Sequence, residues 1–315
     1  MKSSRLKILV IGLSAGVLYA FIAMLIMNSV HMNVSISYIF VLPLVMGMIP
    51  VLFSTKEQLR SYKTYLLMPW GITFTFFLLC LLAGFDGVIC LMIIVGPFLV
   101  LGSLGAFIFS MIKLKSSGSK TPLYSSLFLP FLFLFIESGL PAKDQYYTIS
   151  TSTVISADQK VVWENIKNVR NIQSSEVNTH FVHLIGVPEP LDGTLNKEGV
   201  GGVRSITWQK GIKFKEIIKT WKEGDSFTYD IEVDPSSIPP ATLDQHVMIG
   251  GRYFDVVEGG YQLIAQEGNK VLVSLYCKYR VTTNLNFYSR LWADFLLDDF
   301  NEMILEVIKS RCEHK

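Results

Sequence analysis

The stretch Arg204-Ser205-Ile206-Thr207-Trp208-Gln209-Lys210-Gly211-Ile212-Lys213-Phe214-Lys215-Glu216-Ile217-Ile218-Lys219-Thr220-Trp221 decides the fold of the second half of this chain. Phe214, Glu216, Ile218 and Thr220 share one parity, and Lys213, Lys215, Ile217 and Lys219 take the other. That is the period-two pattern of an antiparallel strand with one wet and one interior face. The lysines mark the wet face, so the interior face holds a carboxylate, Glu216, among apolar groups. Gln209-Lys210-Gly211 and Lys222-Glu223-Gly224-Asp225 read as the flanking turns. If the first is a three-residue hairpin loop, Trp208 pairs with Ile212, Ile206 with Phe214 and Arg204 with Glu216. A loop one residue shorter breaks that pairing. A carboxylate facing an apolar interior needs a partner or a proton. Two readings stay open for Arg204 and Glu216: an ion pair satisfied by itself, or a polar anchor or acid/base for a ligand.

The surrounding elements are a strand at 146–155, a helix at 157–169, strands at 252–266 and 270–282, and a long helix at 287–311. The runs Val154-Ile155-Ser156-Ala157-Asp158-Gln159-Lys160-Val161-Val162-Trp163, Gly199-Val200-Gly201-Gly202-Val203-Arg204 and Glu216-Ile217-Ile218-Lys219-Thr220-Trp221 carry a resemblance. With this order of elements, the chain from about residue 146 onward resembles the START-like, polyketide cyclase/dehydrase (SRPBCC) superfamily. The resemblance implies a helix-grip fold of α+β class, an antiparallel sheet curled around one long C-terminal helix. It also implies an internal cavity for a small hydrophobic or lipid-like ligand, with no cofactor. The superfamily includes carriers, receptors and cyclases, so the resemblance specifies a fold more narrowly than a function.

The composition sets the frame for the rest. The chain has 315 residues, 17% charged and 50% hydrophobic, with a mean hydropathy of +0.40, too apolar for an ordinary soluble protein. The average conceals a split: charges are sparse over 8–136 and evenly spread from residue 142 onward. The domains expected are therefore an all-α transmembrane region at 1–141 and a helix-grip domain at 142–315. Spans are expected at 8–27, 35–53, 65–85 and 87–112, each about the length that crosses a bilayer. A fifth at 122–140 is shorter at its core and interrupted by Pro130. Lys2, Arg5 and Lys7, then Lys56, Arg60 and Lys63, then Lys113, Lys115 and Lys120 fall in alternate loops. By the positive-inside rule the N-terminus is cytoplasmic. Five spans place the C-terminal domain outside the cytoplasm; four place it inside. Gly96, Gly102, Ser103, Gly105 and Ala106 supply small residues for close helix contact. Without ionisable groups deep in the spans, this half reads as an anchor or a packing partner for membrane proteins, or for a second copy, rather than a transporter.

Within the second domain, the candidate cavity residues are Arg204, Phe214, Glu216, Ile218, His246, Tyr276, Arg280 and Phe295. Phe214, Glu216 and Ile218 come from the inward parity of the meander. Tyr276 or Arg280 projects inward depending on register, and Phe295 lies on the last helix, which forms a cavity wall in the superfamily. Asp244 and His246 sit in a long proline-containing loop of the sort that often carries function. His180 and His183 fall in a run, 179–186, that reads as a strand, which points them to opposite faces. Trp163 reads as core, and Asp294, Asp298, Asp299 and Glu302 as the solvated face of the last helix. No Cys-x-x-Cys or His-x-x-x-His spacing supports a metal site, and no basic patch with interleaved aromatics supports nucleic-acid binding. The leading expectation is a membrane-anchored domain that binds or carries a hydrophobic molecule. The alternatives are a cyclase- or dehydratase-type enzyme using Glu216, His246 or a tyrosine as acid/base, and a ligand-sensing interaction module.

Overall fold

The computed structural model describes residues 2–30, 34–115, 124–239, 243 and 246–313, with the side chains of 2–9, 64 and 65 excepted. The chain divides into two units, Met1–Lys143 with Thr283–Leu285, and Asp144–Thr282 with Asn286–Lys315.

In the first unit the apolar runs become helices α1 (Lys2–Ser29), α2 (Leu42–Phe53), α3 (Lys56–Leu59), α4 (Tyr62–Ala83), α5 (Val88–Lys115) and α6 (Leu129–Ser138). A π-helical turn, Ser37–Val41, runs directly into α2, and a 3-10 turn, Ser126–Phe128, into α6. Three segments, Val10–Ser29, Leu66–Ala83 and Val88–Lys115, are long and apolar enough to cross a membrane, whereas Ser37–Phe53 and Ser126–Ser138 are shorter. Small residues let α2 and α5 touch backbone to backbone. A Cβ on Gly47 would lie 1.9 Å from the Gly102 carbonyl oxygen, and one on Gly105 would lie 1.8 Å from that of Leu44.

Polar contacts tie the two ends of this unit. At one end Lys113 Nζ donates to the carbonyls of Val51, Leu52 and Ser54 at 2.6, 2.9 and 2.8 Å. These are terminal carbonyls of α2, where a cation is favoured. At the other end the buried Glu137 carboxylate accepts from the Ile36 and Ser37 N–H groups at 2.8 and 3.0 Å and from Ser37 Oγ at 2.9 Å. It thereby satisfies the open N–H groups at the start of the 37–53 helix. Ser126 Oγ approaches Met48 Sδ at 2.8 Å, and Tyr19 OH donates to the Leu127 carbonyl at 2.7 Å. Thus 126–138 runs antiparallel to 37–53, from beside Met48 to Ser37.

The second unit is a seven-stranded antiparallel sheet curled against a long helix. Its strands are β1 (Gln145–Ile155), β2 (Pro190–Leu195), β3 (Val203–Trp208), β4 (Lys213–Lys222), β5 (Ser226–Glu232), β6 (Phe254–Gln266) and β7 (Lys270–Val281), in the spatial order β1-β7-β6-β5-β4-β3-β2. Helices α7 (Gln159–Lys167), α8 (Phe181–Leu184) and α9 (Asn286–Glu313) complete it. The 28 residues of α9 reach roughly 42 Å at 1.5 Å per residue. This is the helix-grip architecture that the order of elements implies. Its main core joins Ile155, Val162, Trp163, Ile166, Phe227, Tyr261 and Leu275 to Met303, Ile304, Val307 and Ile308 on the second half of α9. In the three-residue loop between the paired Gln266 and Lys270, Gly268 and Asn269 have φ of 76° and 54°, left-handed backbone that glycine and asparagine adopt most readily.

The fold departs from the sequence reading in places. Residues 181–184 form helix α8 rather than part of a strand, and the strand of this connection is β2 at 190–195. Pro190 is acceptable there because it opens an edge strand. Thr220 does not face inward. A register shift between Ile218 and Thr220 places Thr220 outside, bonded to Thr228 at 2.8 Å, and turns Trp221 onto Trp163 and Phe227. The 252–266 strand carries a register shift between Val256 and Glu258, while Gly259 and Gly260 stay in regular pairing. Those glycines admit aromatic rings instead: a Cβ would meet Tyr229 at 2.7 Å and Tyr276 at 2.6 Å.

Candidate functional site

The β3–β4 hairpin has the three-residue loop expected, with Lys210 and Gly211 at φ of 56° and 82°. Arg204 therefore pairs with Glu216 and Ile206 with Phe214. Both charged residues are 5% exposed. Arg204 Nε donates to Glu216 Oε2 at 2.5 Å, and Nη1 to the Ile166 carbonyl at 2.8 Å. The guanidinium carbon lies 5.7, 5.3 and 5.5 Å from the ring centroids of Phe227, Tyr229 and Tyr261, a cation–π enclosure. Burial pushes the Glu216 carboxyl up from its usual range, and the Arg204 charge pulls against that rise. Burial works against the Arg204 charge as well, but Glu216 and the neighbouring tyrosines outweigh it, so the guanidinium is held protonated. Burial likewise raises the Tyr229 and Tyr261 hydroxyls. The cluster is closed: each charge has its partner, and the side chains around them are packed into the core.

The grip loosens toward the first half of α9. Val256, Cys277, Tyr279 and Val281 pack with Ala293, but Ile231, Phe254 and Leu297 beside them are only half-buried. Burial pushes the Cys277 thiol up to about 12, which makes it an inert packing group rather than a nucleophile. Next to this zone lies an aromatic group. Trp208 stands 5.4 Å from Phe214 and 5.0 Å from Phe300 between ring centroids, and His183 stands 6.4 Å from Phe300. Phe214, Phe300 and His183 are half-buried. The ring of Phe181, at the start of α8, lies 5.4 Å from that of Phe295.

Helix α8 is held on α9 by acids that the sequence places on a solvated face. His180 Nδ1 lies 3.1 Å from Asp299 Oδ1 and Nε2 lies 3.4 Å from Glu306 Oε2, while the Val182 N–H donates to Asp299 Oδ2 at 2.7 Å. Asp294 accepts from the Tyr279 hydroxyl and, at 3.2 Å, from Arg290 Nε. Asp298 accepts from Thr151 Oγ1 at 2.5 Å. These aspartates are structural acceptors that fix α9 to β1, β7 and α8. The two histidines do not point to opposite faces, because one helical turn separates them; both meet α9, at different residues.

The sequence-derived residues thus separate into groups. Arg204, Phe214, Glu216 and Ile218 lie on the inner face of the sheet. Tyr276 and Arg280 lie on the outer face, since the buried parity of β7 is Val271, Val273, Leu275, Cys277, Tyr279 and Val281. Tyr276 OH donates to Glu258 at 2.9 Å. Arg280 Nη2 donates to the Gly251 carbonyl at 2.6 Å and Nη1 to that of Arg252 at 3.1 Å, so Arg280 clamps a loop. Phe295 is 50% exposed on the outward side of α9. The His246 ring lies 5.1 Å from that of Tyr253, and Asp244 lies outside the described residues. The sequence reading passed over Trp208, His183 and Phe300. An available signal was Trp208 sharing the inward parity of Arg204 and Ile206.

Two further features bear on chemistry. A groove of about 380 Å³ runs between β1 and α9, lined by Thr151, Thr153, Asn178, Glu302, Glu306 and Lys309; it is polar and differs in kind from the apolar cavity expected. Among the described residues no group of three or more His, Cys, Asp or Glu side chains is placed to hold a metal ion.

No protein-family model matches the sequence, and no curated protein matches it. Solved structures do. One is the Zhui aromatase/cyclase from Streptomyces sp. R1128, at 9% identity and TM-score 0.34, covering 53% of this chain and 94% of that one. Another is a START superfamily protein from Mycobacterium smegmatis, at 9% identity and TM-score 0.35, covering 53% and 97%. A third is truncated norcoclaurine synthase from Thalictrum flavum, at 9% identity and TM-score 0.33, covering 54% and 96%. The START-like fold of the second unit stands on its own strand order and its long last helix.

Proposed function

We propose that the second unit binds a small hydrophobic or lipid-like molecule between the inner face of the sheet and the first half of α9, in a protein anchored to a bilayer by its first unit. The observation that carries this reading is the graded interior. Apolar and aromatic side chains of the inner face and of α9 there, Ile231, Phe254, Leu297, Phe300 and Phe214, are only half-covered, whereas Met303, Ile304, Leu305, Val307 and Ile308 on the second half of α9 are buried in the core. Half-covered apolar surface that converges on a concave face is where small ligands bind. The fully paired Arg204 and Glu216 favour binding over acid/base chemistry at that pair.

The same proposal includes a side of the membrane. The 126–138 segment runs the length of the 37–53 helix in the opposite direction, and Lys113 marks the end where Ser54 lies. Read with the basic residues Lys56, Arg60, Lys113 and Lys115 as cytoplasmic, this antiparallel path supports reading 126–138 as a fifth crossing, with the second unit outside the cytoplasm. The tests are separate. Lipid extraction and mass spectrometry of the detergent-purified protein should recover a hydrophobic molecule at near-stoichiometric yield; clean extracts, with no displaceable fatty-acid probe, defeat the carrier reading. Fusions after Lys315 should give alkaline phosphatase activity and no green fluorescence. The reverse pattern defeats the fifth crossing.

A further inference from the structure

His183 is one turn beyond His180, yet its imidazole is used differently. Nδ1 lies 2.9 Å from the Val187 carbonyl oxygen. A carbonyl oxygen only accepts, so Nδ1 carries the proton, and Nε2 of the neutral ring is left with a lone pair. That nitrogen is buried, and no described residue offers it a hydrogen bond. A buried acceptor without a donor is costly, which makes such a group in a native protein a marker for something that supplies the donor. His180 cannot be that partner, because Asp299 and Glu306 occupy its ring nitrogens. Around His183 the neighbours are aromatic: Phe300 against the imidazole, Trp208 against Phe300, and Phe214 against Trp208. An acceptor set beside half-covered rings combines apolar area with one orienting polar group, the composition of a specific small-molecule site.

We propose that Nε2 of His183 accepts a hydrogen bond from a hydroxyl or N–H group on a flat, otherwise apolar ligand held against Phe300, Trp208 and Phe214. The proposal rests on the carrier reading above and narrows its ligand to hydrophobic molecules that carry a donor. A hydrocarbon of the same shape buries the same area but leaves Nε2 without a partner, and a site built around a hydrogen bond rejects the analogue that lacks it.

The test uses the full-length protein in detergent and two probes of matched size, 2-naphthol and 2-methylnaphthalene, measured by equilibrium dialysis against protein-free micelles. Wild type should bind 2-naphthol about tenfold or more tightly than 2-methylnaphthalene, as expected when a buried acceptor is left unpaired in one complex and paired in the other. His183→Leu should bring the two affinities within about twofold by weakening 2-naphthol alone. His183→Gln, which keeps an acceptor oxygen, should retain part of the preference, and it serves with the wild-type comparison if the leucine variant does not fold. Equal binding of the two probes to wild type, or an undiminished preference in His183→Leu, overturns the role of His183 and leaves the carrier reading standing. Binding of neither probe above the micelle control overturns both.

Discussion

Replacing Glu216 by leucine removes one member of a pair that is 5% exposed on each side and leaves the Arg204 guanidinium enclosed by Phe227, Tyr229 and Tyr261, with neutral acceptors such as the Ile166 carbonyl but no opposite charge. Breaking a buried pair in this way costs about 3–5 kcal/mol, because an uncompensated charge stays in the interior. At roughly 2–4 °C per kcal/mol for a unit of this size, the unfolding midpoint should fall by about 6–20 °C. The double variant Arg204→Met, Glu216→Leu removes both charges and keeps apolar volume against the three rings, so it should return to within about 2 kcal/mol of wild type. Thermal and denaturant unfolding of the purified protein, followed by tryptophan fluorescence and near-ultraviolet circular dichroism, give the midpoint and the free energy for wild type and both variants. Trp163 and Trp221 lie beside Phe227 and report on the core around the pair. A single variant that loses less than about 1 kcal/mol, or a double variant as unstable as the single one, refutes the view of this pair as a sealed structural element.

Three further outcomes are expected. Arg311 holds the Glu176 carboxyl below its usual range through paired hydrogen bonds at 2.6 and 2.7 Å. That contribution is present above the unfolded value of about 4.3 and is lost as pH falls through the folded one, so Glu176→Gln should flatten the acid limb of the stability–pH curve; an unchanged limb counts against it. Gly105→Val forces a side chain to within 1.8 Å of the Leu44 backbone and should part α2 from α5, read as a drop in the detergent melting temperature that Gly96→Val, where a Cβ meets nothing, does not share. Glu137→Leu strands two N–H groups and a hydroxyl, at several kcal/mol in an apolar setting. A reporter fused after Lys315 should then show mixed sidedness, and a uniform signal identical to wild type would argue that the clamp is dispensable.

The register of β3 and β4 was legible because parity and a glycine-closed loop fix it together; with Gly211 at φ 82°, only one pairing of Arg204 remains. The shift after Ile218 was not legible, since Lys219, Thr220 and Trp221 satisfy strand propensity in either register and only the contact of Trp221 with Trp163 and Phe227 chooses between them. Helix α8 was hidden for a related reason. Phe-Val-His-Leu favours a strand locally, and what overrides it is remote, the Asp299 carboxylate on the Val182 N–H. Strand β2 carries Pro190 and Gly193, both poor strand signals; a Cβ on Gly193 would come within 3.2 Å of Ile206 Cδ1, and its N–H donates to the Val169 carbonyl at 2.9 Å. The acids of α9 read as solvated because their partners, Tyr279, Thr151 and His180, are distant in sequence. Local pattern reports on local pairing, and the site is built mostly from contacts that cross the chain.

The Glu137 clamp joins residues about a hundred positions apart, and that separation has a consequence for biogenesis. The 126–138 segment, at 13 residues, reaches roughly 20 Å as a helix, short of a hydrocarbon layer of about 30 Å. As a proposed crossing it is weak by itself and gains from the partner it has in this unit, the open N–H groups at Ile36 and Ser37. Those groups emerge from the ribosome long before Glu137 does. On the proposed topology the 37–53 helix is made first, and the last apolar segment docks onto it once it is made. On the topology proposed above, commitment of the second unit to its side of the bilayer becomes a late step in synthesis, set by an interior carboxylate and its N–H partners as well as by the hydrophobicity of the segment.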